Sequence, residues 1–341
     1  MTHSRIPIIP LALAAFAGLA LAAAPRASAQ DLYVNDFDNS QILAYTQSGT
    51  LARTFSSGGL FVSPDGLAFV GNNLDVSAQD PTTGNGVIYQ YSLSNPTAAP
   101  TLFATDPGGV LSGLAYTGGN LYAADSQQGR ILAYNTQTGA QVASFGSGAL
   151  VSPIGLAFRS GVLYVADSGA NSVVKYSDSG ASQGTFVAAG SGGLQSPGEL
   201  AFDAAGNLLV ASGQGTSSGT VDRFSPDGSP APAAGGSGAV FAADPGLFNP
   251  FGLAVGPTGA VFVGDRDSNN SNGSGGGGHF DQFNSGGGFV QSVAFNGGNG
   301  NPYGLAFGPA PVPEASSWMS LGLLLALGLG LRLTLRRRTR S

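Results

Sequence analysis

The 341-residue chain has no cysteine, one lysine (Lys175), one tryptophan (Trp318) and two histidines, and only 9% of its residues are charged. Without cysteine, no disulfide can hold the fold and no thiolate can serve as nucleophile or metal ligand. The histidines are as limiting. His3 falls in an apolar leader, which leaves His279, and four glycines, Gly275 to Gly278, precede it and would hold it loosely. A catalytic base must be fixed within hydrogen-bond reach of its proton. Zinc sites, HExxH peptidases and Ser-His-Asp hydrolases are therefore not expected. There is no P-loop, no GxSxG elbow and no GxGxxG at a strand-to-helix junction.

Long apolar runs occur only at the ends. Arg5 precedes an apolar stretch from Ile6 to Ala24, and Ala27-Ser28-Ala29 supplies the small residues that signal peptidase requires. Residues 1–29 read as a signal peptide cleaved after Ala29, an uncleaved anchor being the alternative. At the other end Trp318 to Leu331 carries no charge, and Arg332, Arg336, Arg337, Arg338 and Arg340 follow. A span of about 20 residues is reached over 318–335 if Arg332 snorkels, with 336–341 as a basic cytoplasmic tail. A buried core helix is the alternative.

Between the tails, residues 30–311 hold six basic against eighteen acidic side chains, a net charge of −12. Such a region repels phosphate backbones, so nucleic acid is not an expected partner.

This central region repeats. SPDGLAF (63–69), LSGLAY (111–116), SPIGLAF (152–158), SPGELAF (196–202), NPFGLAV (249–255) and NPYGLAF (301–307) recur 42 to 53 residues apart, the spacing of propeller blades. A turn and a second apolar segment follow, such as NLYAAD (120–125), VLYVAD (162–167) or AVFVGD (260–265). A third comes next: RILAYN (130–135), SVVKYS (172–177) or TVDRFS (220–225). These read as antiparallel strands. The array begins with a second and third strand, DLYVND (31–36) and QILAY (41–45), and ends with a lone first strand, NPYGLAF. Joined, they complete one blade and close a ring without open edges. The expected fold is all-β, a six-bladed β-propeller over 30–308, with a linker at 309–317.

Two resemblances add to this. The repeat wording, most clearly VSPIGLAFRSGVLYVADSGANSVVKYS (151–177), resembles the NHL repeat family. That resemblance implies a propeller that serves as a protein, glycan or RNA binder, or occasionally as a lyase or lactonase. The string VPEASSWMSLGLLLALGLGLRLTLRRR (312–338) resembles the PEP-CTERM sorting signal of exopolysaccharide-producing Gram-negative bacteria, with Val312, Pro313 and Glu314 at its motif and Ala315 in place of the second proline. It implies processing by a membrane protease, an exosortase, and display at the cell envelope or release.

Candidate site residues are few. Asp36, Asp125, Asp167 and Asp265 close second strands, where a carboxylate accepts backbone N–H groups of the following turn; an acidic ring on one face is the alternative. Glu199, the propeller's one glutamate, stands where the other five blades have Gly66, Gly113, Gly155, Gly252 and Gly304. If first strands line the channel, Glu199 sits near its mouth, where lactonase-type relatives keep a metal-binding carboxylate; drift at a solvated position is the alternative. Asp265, Asp267 and Asn269 offer oxygen ligands on alternate residues, as a calcium loop does, but Asn270 and Gly276 depart from the EF-hand pattern. No other cofactor is expected. The leading expectation is an exported, noncatalytic binding or matrix protein that engages extracellular polysaccharide or envelope protein through propeller loops. The second is a metal-dependent lactonase or lyase using Glu199.

Overall fold

The computed structural model describes residues 31–213, 219–243, 247–266, 278–295 and 300–308. The signal segment with Ala27 and Ala29, the Val312–Pro313–Glu314 motif, the 318–335 span and its basic tail lie outside the described residues, as do Asp267 and Asn269. Among the described residues no helix is long and apolar enough to cross a membrane.

Six four-stranded antiparallel sheets make up the described fold. Blade 1 joins the two ends of the repeat array: β1 (Leu32–Asp36), β2 (Gln41–Tyr45) and β3 (Leu51–Ser56) take β24 (Pro302–Phe307) as their innermost strand. Blade 2 is β4 (Leu67–Val70), β5 (Asn73–Gln79), β6 (Gly86–Ser92) and β7 (Thr101–Asp106). Blade 3 is β8 (Leu111–Thr117), β9 (Asn120–Asp125), β10 (Arg130–Asn135) and β11 (Gln141–Phe145). Blade 4 is β12 (Pro153–Arg159), β13 (Val162–Asp167), β14 (Ser172–Ser177) and β15 (Ser182–Val187). Blade 5 is β16 (Leu200–Phe202), β17 (Leu208–Ser212), β18 (Thr220–Phe224) and β19 (Val240–Ala242). Blade 6 is β20 (Pro250–Val255), β21 (Val261–Asp265), β22 (His279–Phe283) and β23 (Phe289–Ala294).

Closure is set by Leu32 opposite Phe307, Tyr33 opposite Ala306 and Val34 opposite Leu305, with a bulge before Asp36 meets Pro302. The blades are held by what lies between them. Alternate residues of a strand face opposite sides of its sheet, and each blade is covered on both sides. Thus Leu163 and Val165 of β13 pack toward blade 3 with Tyr122 and Ile131, whereas Ala166 and Val173 pack toward blade 5 with Leu208 and Val210. Six such clusters occupy the six blade interfaces. A strand buried on both faces reads as a continuous apolar run rather than an alternating one, which is why the second strands are so plain in the sequence.

Near the axis the first strands approach backbone to backbone. A Cβ on Gly252 would stand far inside contact with the Tyr303 carbonyl, one on Gly304 with that of Asp65, and one on Gly155 with that of Gly198. Glycine in the repeated opening therefore answers a close approach between neighbouring blades.

Candidate functional site at the axial mouth

Each first strand opens beside the end of its second strand. Pro153 pairs with Asp167, Pro250 with Asp265, and Asp36 with Pro302. The residue before each of the five repeated glycines, and before Glu199 in blade 5, therefore belongs to one face of the ring, around the axis: Asp65, Ser112, Ile154, Gly198, Phe251 and Tyr303. One side of this mouth is aromatic. Phe37 stacks on Tyr303 at 4.1 Å between centroids and 15° between planes, and Phe251 meets Tyr303 at 4.6 Å. The Arg266 guanidinium lies 4.3 Å over Phe251 and 4.6 Å over Tyr303, and donates to the Tyr303 hydroxyl and to Asn249 Oδ1.

The other side is acidic. Glu199 is 8% exposed, and its Oε1 lies 3.0 Å from where a Gly113 Cβ would be, two blades away. It is thus a buried side chain crossing the axis, not a solvated drift position. Burial, with the Asp65 charge adding to it, pushes its pKa up to about 8. Asp65 is 8% exposed as well, and burial raises it to about 7 against a hydrogen bond from Ser112 and the Arg266 charge. Asn35 Nδ2 donates to the Asp65 carbonyl at 2.7 Å. Three buried polar atoms here have no hydrogen-bond partner: Asn35 Oδ1, Asp65 Oδ1 and Arg266 Nε.

Of the residues singled out in the sequence, Glu199 is at this mouth, together with Asp65 and Asn35, which the sequence does not single out. Their signal was available. Aligning the residue before the repeated glycine shows Asp65 as the acidic member among Ser112, Ile154, Gly198, Phe251 and Tyr303.

The strand-closing aspartates do more than cap the turn that follows. Asp125 accepts from Gln128 N at 3.0 Å in that turn and from Val110 N at 3.2 Å in the segment leading into the first strand. Asp167 likewise accepts from Val151 N and Ser152 N. Asp265 accepts from Phe248 N and Asn249 N at 2.8 and 2.7 Å, and burial lifts its pKa to about 6. Its carboxylate thus faces the segment before β20. His279 is not loosely held: it opens β22 opposite Asp265, with its side chain 14% exposed. Strand pairing overrides the glycine run before it.

No family model matches the chain, and no curated protein matches it. Solved structures do. A chain of a nidogen/laminin complex is 18% identical, with a TM-score of 0.63 over 81% of this chain and 97% of its own. A protein of unknown function from Bacteroides caccae gives 14% and 0.59 over 84% and 99%. Virginiamycin B lyase from Staphylococcus aureus gives 13% and 0.50 over 72% and 74%. At such identities the likeness is one of fold. The protein is a six-bladed β-propeller, a fold it shares with these solved chains.

Proposed function

We propose that this chain is an exported, noncatalytic binding propeller whose axial mouth holds a sugar unit of an extracellular polysaccharide. The observation that carries the reading is the pairing of an aromatic stack, Phe37–Tyr303–Phe251 with Arg266, and three buried polar atoms without partners. A sugar ring presents an apolar C–H face that an aromatic ring covers, and hydroxyls that both donate and accept. Hydroxyl donors would satisfy Asn35 Oδ1 and Asp65 Oδ1; a hydroxyl oxygen would accept from Arg266 Nε. The net charge of −12 over residues 30–311 favours a neutral polymer. The NHL-like wording is consistent with a binder, and the PEP-CTERM-like tail, read with the leader, supports signal peptidase and exosortase processing, transient anchorage and a place at the cell envelope or beyond. An envelope protein is the other partner class that these features allow.

The test is calorimetry on the protein recovered from its own host, with neutral glucan and galactan oligosaccharides as probes. Binding is expected, with Phe37→Ala weakening it about tenfold at unchanged melting temperature. Full affinity in Phe37→Ala would remove the mouth as the site, and no binding to any oligosaccharide would remove the polysaccharide reading.

One observation favours a second reading, a metal-dependent lactonase or lyase: Asp65 stands beside Glu199, and its Oδ1 is unpartnered. Two carboxylates and the Asn35 amide oxygen suit a hard cation such as calcium, which wants six to eight oxygens. Calcium-dependent hydrolysis of sugar lactones, abolished in Glu199→Gln, would establish it; its absence leaves the binding reading.

A further inference from the structure

Blade 6 holds a second buried acidic cluster, facing blade 5. Asp265 and His279 are directly opposite across β21 and β22, and Asp281 pairs with Val263, so all four residues share one face of the sheet. On that face Val263 and Phe283 pack against Leu209, Ala211 and Val221 of blade 5. Asp281 is 1% exposed, and neither of its carboxylate oxygens has a hydrogen-bond partner. Its Oδ2 is directed at His279 Nε2, 3.3 Å away, and Asp265 Oδ2 is 3.7 Å from the same nitrogen.

Other blades differ at this position. At the position of Asp281, blades 1, 2, 3 and 4 place Leu43, Tyr89, Leu132 and Val174. Blade 5 has Asp222, but Thr220 Oγ1 donates to it at 2.9 Å, and Ser212 hydrogen-bonds it as well. Asp281 has no hydroxyl donor. Burying a carboxylate without compensation costs several kcal/mol, and a cation beside Asp281 would supply that compensation.

We propose that Asp265, His279 and Asp281 form a three-ligand site for one divalent transition-metal ion of the zinc type, wedged between blades 5 and 6. Ligand atoms bound at about 2.0–2.2 Å in a tetrahedron stand about 3.3–3.6 Å apart. The His279–Asp281 separation of 3.3 Å fits that edge, the His279–Asp265 separation of 3.7 Å is slightly longer, and one atom from each residue lies within 4.8 Å of the other two. An imidazole nitrogen suits zinc, cobalt, nickel or iron and not calcium, which takes oxygen ligands at greater distances. Phe248 N and Asn249 N fix the Asp265 carboxylate in the manner of an outer ligand shell. With three protein ligands, a fourth position remains for water or an external group. The site is distinct from the axial mouth, so it stands or falls apart from the polysaccharide reading.

The experiment uses the untagged full chain, stripped with a chelator and titrated with Co2+, whose visible absorption reports ligand geometry, and then with Zn2+. One equivalent of Co2+ with a tetrahedral-type band, displaced by Zn2+, is expected together with a rise in melting temperature. Asp281→Leu, the residue that blades 1 and 3 carry at this position, is expected to keep the fold and lose the band, with affinity at least tenfold lower. His279→Gln tests the same point through a less buried residue, and decides it if Asp281→Leu does not fold. No Co2+ binding by the parent chain, or undiminished binding in His279→Gln, would overturn the proposal.

Discussion

Blades 3 and 6 present the same strand positions with different chemistry. In blade 3, Asp125 closes the second strand and Arg130 opens the third directly opposite; the guanidinium bonds Asp125 at 3.0 Å and reaches Asp106 of blade 2 at 2.7 Å. In blade 6, Asp265 closes the second strand and His279 opens the third, with Asp281 two residues on. Each site buries two carboxylates around one nitrogen group. In blade 3 that group is a permanent cation, but in blade 6 it is an imidazole, charged only when protonated. In both blades the paired acids meet a nitrogen group, permanent in its charge in blade 3 and conditional in blade 6. Where the partner is conditional, the site is open to an outside ligand.

The largest way to break the contrast is to remove the permanent cation. Arg130→Met keeps the apolar stem and leaves Asp106 and Asp125 facing each other, with Asp106 already raised to about 6 by burial and by Asp125. Removing one partner of a buried pair costs about 3–5 kcal/mol. With Arg130 one quarter exposed, about 3 kcal/mol is expected in urea denaturation at pH 7.5. A loss below 1 kcal/mol would mean that blade 3 does not depend on its cation and that blade 6 need not depend on one either.

Much of the inner ring was legible in the sequence because the first and second strands are constrained twice over. Their glycines answer backbone contact, and runs such as Leu121 to Ala124 are covered on both faces, so each blade repeats the same wording. The outer strands were not legible. β11 and β23 are mostly exposed, and nothing obliges QVASF and FVQSVA to resemble each other. The mouth was half legible: Glu199 stood out as the exception to glycine, whereas Asp65 became its neighbour only through ring closure across more than a hundred residues. The blade 6 cluster was hidden because a histidine after four glycines reads as loop, and its partners are set by strand register.

The axis neutralises buried acid in a third way, with a proton, and this sharpens the contrast through pH. Glu199 has a native pKa of about 8 against an ordinary value of 4.5, so the native state holds more protons between those limits. Its contribution to stability is complete below about pH 4.5, declines as pH rises, and is gone above about pH 8. Glu199→Gln mimics the protonated form at every pH. It is expected to match the parent near pH 4.5 and to exceed it by roughly 2 kcal/mol at pH 6, so its melting temperature should fall less between those values. Parallel pH profiles for the two proteins would show that Glu199 is ionised and solvated in the fold. Asp65, raised to about 7, should supply part of the slope that remains.

The smallest effect is expected from making blade 6 resemble blade 3. His279→Arg places a permanent cation opposite Asp265 and within reach of Asp281, where blade 3 has Arg130 opposite Asp125. In chelated protein at pH 7.5 the substitution should raise stability by about 1 kcal/mol, because the guanidinium keeps its charge at every working pH. Added Zn2+ should raise the melting temperature of the parent and leave that of His279→Arg unchanged, because the guanidinium cannot ligate a metal. If the two proteins respond to Zn2+ alike, the metal binds elsewhere, and blades 3 and 6 differ only in which side chain donates to the same carboxylates.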